Sequence, residues 1–197
     1  GYREDMIEKV AITGILHDIG ILKFTQNELD DFSFHKELEM GAFSKHSMYG
    51  YELVKNKDLD QSIKQAVLTH HEHADGSGFP LGVDNKSLNP IQRVIEIVDV
   101  YDTLLMREPG FKRMSPFEVL IQLNEVEGNK YDPSALLIFT SRLAQTFIQC
   151  RVRLNNGQEG KIVLFNKYSI LRPLIQVGSG FVDLALRKDL NIVELLD

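Results

Sequence analysis

Four segments that read as helices each carry imidazole or carboxylate side chains, and a chain built this way is constrained to bring those segments together. His17-Asp18 closes the first, His46 lies within the second, His70-His71 closes the third, and Asp99 sits in the fourth. In helical bundles, metal sites are assembled from side chains that project inward from facing helices. Imidazole and carboxylate together suit Fe, Mn or Zn, whereas a structural zinc site would more often draw on thiolates. This chain has one cysteine among 197 residues. Adjacent helical residues point about 100° apart, so His17-Asp18 and His70-His71 could each address two ions, with Asp18 bridging. A lone helical histidine is usually a core or surface residue; His35 and His73, among polar neighbours, read that way.

The helical reading rests on spacing and caps. Met6, Ile7, Val10, Ala11, Gly14 and Ile15 recur at helical intervals over 5–17. Residues 28–56 read as mainly helical after a loop. Asp60 caps a helix running through Ile63, Ala66, Val67 and Leu68 toward His70. Three later helices open with a capping residue followed by proline: Asn89-Pro90, Ser115-Pro116 and Asp132-Pro133. Proline suits the first helical position because its missing N–H would be unpaired there and its φ is nearly helical. The first is predicted to run through Ile95, Val98 and Leu105, the second to about Gly128 and the third to about Ile148. The glycines and prolines between His73 and Pro90 predict an ordered loop.

At Cys150 the pattern changes. Arg151–Leu154 and Lys161–Phe165 flank a polar turn and read as two strands, with further strands predicted at Leu171–Val177 and Phe181–Leu186. The expected architecture is mainly α: a helical domain over 1–149 and a small β appendage over 150–197, suited to packing or partner docking.

Composition narrows the function. With 28 acidic and 22 basic residues the net charge is −6, which disfavours a grip on long nucleic acid. No apolar run approaches the roughly 20 residues of a membrane span. A single Cys150 excludes an intramolecular disulfide, and no signal peptide is evident, so a cytoplasmic protein is expected. The opening without methionine suggests a piece of a larger protein.

Several strings together resemble the HD-GYP branch of the HD phosphohydrolases. They are His17-Asp18-Ile19-Gly20, His46 followed by Gly50, the run from His70 through Gly76-Ser77-Gly78-Phe79-Pro80, Arg93 leading into Asp99-Val100-Tyr101-Asp102, and Gly128-Asn129-Lys130-Tyr131-Asp132-Pro133. The likeness covers about residues 5–148, and the intervals between the strings also fit. It implies an HD-type helical bundle and a site of two or three divalent ions, iron or manganese. His17, Asp18, His46, His70, His71 and Asp99 would be the ligands, with Asp18 and His17 the catalytic pair. The implied activity is hydrolysis of cyclic di-GMP to pGpG or GMP.

Departures from the family pattern touch the grip on substrate. Ile21 stands where a lysine is usual, with Lys23 two residues on. Phe79 replaces the tyrosine and keeps only the ring. A usual basic position falls on Glu108, with Arg107, Lys112 and Arg113 near enough to substitute. The family's first histidine would lie upstream of residue 1, in a helix this chain lacks. The glutamate that some members use for a third ion is absent too. Gly76 and Gly78 could approach a phosphate closely or position the histidines before them. A lost charge-assisted phosphate contact is worth roughly 1.5–3 kcal/mol. The resemblance therefore implies a phosphodiesterase of weakened activity. The alternatives are a degenerate module that binds metal or nucleotide and serves as a sensor or docking partner, and a hydrolase for another phosphorylated compound. A regulatory domain upstream and a protein partner fit any of these; the oligomeric state is left open.

Overall fold

The structure, a computed structural model, describes residues 4–31, 44–106, 114–166 and 168–196. The chain divides into two compact units, Gly1–Thr103 with Asn129–Ala135, and Leu104–Gly128 with Leu136–Asp197. The first is helical, and the second joins helices to a five-stranded antiparallel sheet. The mainly helical class with a small C-terminal sheet is as the sequence predicts. The unit holding the sheet also takes in helical residues before 150. No helix among the described residues is long and apolar enough to cross a membrane.

In the first unit, α1 (Glu4–Leu16) leads into a 3-10 turn (Ile19–Lys23) and the short α2 (Gln26–Asp31). Met6 and Val10 pack on a core of Ala66, Ile91 and Ile95. Continuing that stripe by helical spacing reaches Thr13, which is fully buried and donates to the Lys9 carbonyl, and then His17. Ile7 and Ile15, also counted in the apolar periodicity, are exposed instead. Ile7 lies about 100° round the helix from the packed stripe, and Ile15 about 180°, on the opposite face.

Next come α3 (Lys45–Val54), α4 (Gln61–Thr69) and α5 (Pro90–Leu105). Asp60 caps α4 by accepting from the Ser62 N–H at 2.8 Å. Asn89 accepts from the N–H groups of Ile91 and Gln92 at the start of α5, as its place before proline predicts. Ile63, Val67, Ile97 and Val100 complete the buried apolar surface. Each fully buried side chain of this size stabilises by about 1.5–3 kcal/mol.

Two glycines set the spacing between the 3-10 turn and α3. A Cβ on Gly20 would stand 1.8 Å from the His46 carbonyl oxygen and 2.4 Å from the Gly50 nitrogen. Only glycine permits this backbone contact, and the contact brings Asp18 beside His46.

In the second unit, α6 (Pro116–Ile121) runs into a π-helical turn (Gln122–Val126). Its start is a full capping box: Ser115 Oγ accepts from the Glu118 N–H, and the Glu118 carboxylate accepts from the Ser115 N–H. The 3-10 turn at Gly128–Lys130 leads into the Asn129–Ala135 stretch of the first unit. There Asp132 accepts from the Ser134 and Ala135 N–H groups and starts α7 (Pro133–Thr146), whose residues from Leu136 on belong to the second unit.

The strands are β1 (Arg151–Leu154), β2 (Glu159–Asn166), β3 (Ser169–Val177), β4 (Gly180–Asp183) and β5 (Ile192–Leu195), in the spatial order β4-β3-β2-β1-β5. Val152, Leu154, Ile162 and Ile175 fill the inner face. On the other face, Arg151 and Arg153 pair with Glu159, and Arg153 also with Glu194. The strand predicted over Phe181–Leu186 stops at Asp183, because that side chain accepts from the Ala185 N–H and turns the chain. β5, absent from the sequence reading, returns antiparallel to β1.

Candidate metal centre

The ends of α1 and α4, the middle of α5 and the start of α3 converge, as the placement of imidazoles and carboxylates requires. Ligand atoms of Asp18, His46, His70 and His71 all lie within 4.8 Å of one another. His46 Nε2 is 3.0 Å from His70 Nε2 and 3.1 Å from His71 Nε2. Asp18 Oδ1 stands 3.3 Å from His46 Nε2 and 3.6 Å from His70 Nε2. Donor atoms about 2.0–2.1 Å from one tetrahedral ion stand roughly 3.3–3.4 Å apart. These spacings are close to that.

A second group adjoins the first through the same carboxylate. Asp18 Oδ2 lies 3.3 Å from His17 Nε2, which is 3.5 Å from Asp99 Oδ1. His71 Nδ1 is 3.8 Å from Asp99 Oδ2. Asp18 thus turns one oxygen toward each group, and His71 does the same with its two ring nitrogens.

Local backbone contacts aim the rings. His17 Nδ1 donates to the Gly14 carbonyl at 2.8 Å, and His70 Nδ1 donates to the Val67 carbonyl at 2.9 Å. A carbonyl only accepts, so Nδ1 holds the proton in each case and Nε2 faces the centre.

Charge in the cluster is arranged to receive cations. Burial opposes ionisation of Asp18, yet His17, His46 and His70 hold its carboxyl far below the usual range. Burial also opposes the charge on His17, but Asp18 and Asp99 outweigh it and carry the imidazole up to about 10. His70 and His71 are pushed down, chiefly by burial, and neighbouring imidazoles add to the effect. In the ion-free protein a proton on His17 supplies positive charge between two carboxylates, while His70 and His71 keep their lone pairs.

The HD domain profile matches residues 3–135. The chain belongs to the HD domain family. Among curated relatives of this HD protein, the cyclic di-GMP phosphodiesterase PA4108 of Pseudomonas aeruginosa is 24% identical over 175 residues, covering 88% of this chain and 42% of the relative. The cyclic di-GMP phosphodiesterase response regulator RpfG of Xanthomonas campestris is 29% identical over 150 residues, covering 74% and 40%. A 3'3'-cGAMP-specific phosphodiesterase of Vibrio cholerae is 28% identical over 156 residues, covering 77% and 35%. The chain thus spans about two fifths of the length of such relatives or less. Bd1817, an HDG"Y"P protein of Bdellovibrio bacteriovorus, shares the fold with a TM-score of 0.52 at 22% identity, covering 65% of this chain and 40% of that one. The resemblance to HD-GYP proteins therefore holds in sequence and in fold.

The glycine-rich loop of this HD domain folds back on the histidine segment that precedes it. A Cβ on Gly78 would stand 2.4 Å from backbone atoms of His71, Glu72 and His73. The Phe79 N–H donates to the His71 carbonyl, and the Phe79 ring stacks on the His71 imidazole with centroids 4.7 Å apart. Glu72, fully buried, accepts from the N–H groups of Leu81, Gly82 and Val83. Gly78 thus abuts the segment that carries His71 and His73, whereas the nearest atom to a Cβ on Gly76 would be the Gly82 carbonyl oxygen at 3.8 Å. Gly76 takes a left-handed φ of 79° in a turn opened by Asp75, which accepts from the Ser77 N–H.

Other sequence-marked residues fall elsewhere. Lys23 Nζ sits 5.9 Å over the Tyr49 ring centroid. Arg107, Lys112 and Arg113, like Glu108 and His35, lie outside the described residues. Arg93 and Asp132, from two separate matching strings, form an ion pair at 3.2 Å, and Arg93 also donates to the Asn85 carbonyl. The sequence reading did not anticipate Gln92 and Glu96, which face the same segment from α5. His73, read as an ordinary polar histidine, contacts Glu96 at 2.7 Å.

Proposed function

We propose that this chain is the hydrolytic part of a metal-dependent cyclic dinucleotide phosphodiesterase, acting on cyclic di-GMP to give pGpG or GMP. The observation that carries the reading is Asp18, whose two oxygens face separate groups of donors, His46 and His70 on one side and His17 on the other. That is the arrangement a bridging carboxylate adopts between two cations.

His46, His70 and His71 with Asp18 would hold one divalent ion, and His17, Asp18 and Asp99 a second. Iron or manganese suits this mixed nitrogen and oxygen set, and the absence of thiolates fits neither a structural zinc site nor a cluster. When bound, two such ions supply an activated water and neutralise charge on the phosphoryl oxygens. An acidic chain can then take a dianionic substrate without a basic cleft of its own.

The protein's contribution is orientation and protonation state. Burial keeps His70 and His71 neutral, and backbone carbonyls fix the His17 and His70 rings. Asp18 stays ionised. Phe79 packs the His71 ring without the hydroxyl of a tyrosine. Lys23, held over Tyr49, would have to leave that ring to reach a phosphate. This favours weak substrate grip as the source of any loss in activity.

Protein reconstituted anaerobically with Fe(II), or with Mn(II), is expected to cleave cyclic di-GMP, with products separated by chromatography. Asp18→Ala should abolish turnover. A panel including 3'3'-cGAMP and nucleotide monoesters distinguishes substrate classes. Metal-loaded protein that binds cyclic di-GMP tightly but cleaves nothing would replace this reading with a sensor or docking role.

A further inference from the structure

We infer that Glu96 is a positioning residue, which locks the His70–His73 segment against α5 and so sets where Asp99 stands relative to the histidines. The inference rests on the two-ion reading above.

The segment needs such a lock. α4 ends at Thr69, and His70 is its C-terminal cap. His71 to His73 therefore lie beyond the last regular helical hydrogen bonds, where chains fray unless tied down. Yet the Nε2 atoms of His70 and His71 stand 3.0 and 3.1 Å from that of His46, and Asp99 approaches His71 from a different helix.

Three positions of α5 face this segment at helical spacing: Gln92, Glu96 and Asp99. Gln92 Nε2 donates to the Glu72 carbonyl at 3.1 Å. Glu96 Oε1 lies 2.7 Å from His73 Nδ1, and Glu96 Oε2 lies 3.5 Å from Gln92 Nε2. Gln92 and Glu96 are fully buried. The Glu96 contact thus spans from the residue two beyond His71 to the residue one helical turn before Asp99. Sliding α5 by one residue would rotate this face by about 100°, breaking the His73 contact and swinging Asp99 away together.

A buried carboxylate is costly unless its partners repay the desolvation. Burial pushes the Glu96 carboxyl up to about 7 despite His73. An apolar residue would avoid that cost but could not grip His73 and Gln92 at once. The polar pair therefore contributes register, which packing of smooth apolar side chains specifies less sharply.

The test uses Mn(II) alone. Glu96→Ala, Glu96→Gln, His73→Ala and the double variant are titrated with Mn(II), following stoichiometry by calorimetry and the coupled two-ion signal by electron paramagnetic resonance. Thermal unfolding of each ion-free variant is measured in parallel. Supporting partners of metal ligands are typically worth about 10–100-fold in affinity. Glu96→Ala is expected to weaken the second ion by about tenfold and to alter the coupled signal. Glu96→Gln, which keeps an acceptor for His73, should restore both. The double variant should be no worse than Glu96→Ala.

Wild-type affinity and signal in a folded Glu96→Ala protein would overturn the inference. So would a Glu96→Gln protein as impaired as Glu96→Ala, or additive losses in the double variant. A wild-type protein that binds two ions but does not hydrolyse cyclic di-GMP would remove the substrate assignment and leave this role intact. One that binds no pair of ions removes both.

Discussion

Gly20 shows how much a single residue determines when backbone meets backbone. Its hydrogen occupies space that a Cβ would share with the His46 carbonyl oxygen at 1.8 Å, an atom that cannot rotate away. Gly20→Ala is expected to cost at least about 3 kcal/mol, the upper range for overpacking, read as a lower urea midpoint. Metal affinity should fall with it, since the displaced turn carries Asp18. His17 makes a second residue-scale prediction. Its pKa of about 10 without ions arises because Asp18 and Asp99 outweigh burial, so an ion taking its Nε2 must displace a proton. Mn(II) binding at pH 8 should release about one proton from this residue, measured by calorimetry in buffers of different ionisation enthalpy. At this scale the six proposed ligands were legible, because imidazole beside carboxylate at a helix end is rare enough to notice. Gln92 and Glu96 were not. A polar residue in a helix reads as its solvent face until a partner segment is seen to bury it.

Caps and turns governed the elements, and these local signals explain which predictions survived. Asn89, Ser115 and Asp132 each accept from backbone N–H groups at the start of the helix that the following proline opens. Ser115→Ala removes one half of a capping box and is expected to destabilise by about 1 kcal/mol, measured by chemical unfolding, with no effect on metal affinity. The interior of the glycine loop needed more than local chemistry. Glu72 collects three N–H groups from residues nine to eleven positions later, a pairing that no short-range pattern encodes. β5 was missed for a similar reason: a four-residue strand after a turn has little periodicity of its own, and its identity comes from pairing with β1. The exposed Ile7 and Ile15 mark the same limit, since an apolar residue off the packed stripe adds to an apolar-rich helix whether or not anything covers it.

For the molecule as a whole, the buried histidines predict a stability profile without metal. His70 and His71 are held below their ordinary value by burial, so the unfolded chain takes up protons there first and stability falls as pH drops below about 6.5. His17 is raised; its contribution is complete below about 6.5 and is lost as pH rises through about 10. Ion-free protein should therefore lose stability, from these groups, on both sides of about pH 6.5. Saturating Mn(II) should raise the unfolding temperature and flatten the alkaline limb, because His17 no longer needs its proton; thermal melts across pH with and without metal check both. The amino-acid sequence by itself determined the helical class, the helix starts and the residue types of the proposed metal site, because caps, periodicity and donor chemistry are local properties written in adjacent positions. Only the tertiary structure decided which oxygen of Asp18 faces which histidines, that the glycine loop clasps the histidine segment before it, and that Glu96 meets His73. Those depend on distances between segments far apart in the chain, which packing alone sets.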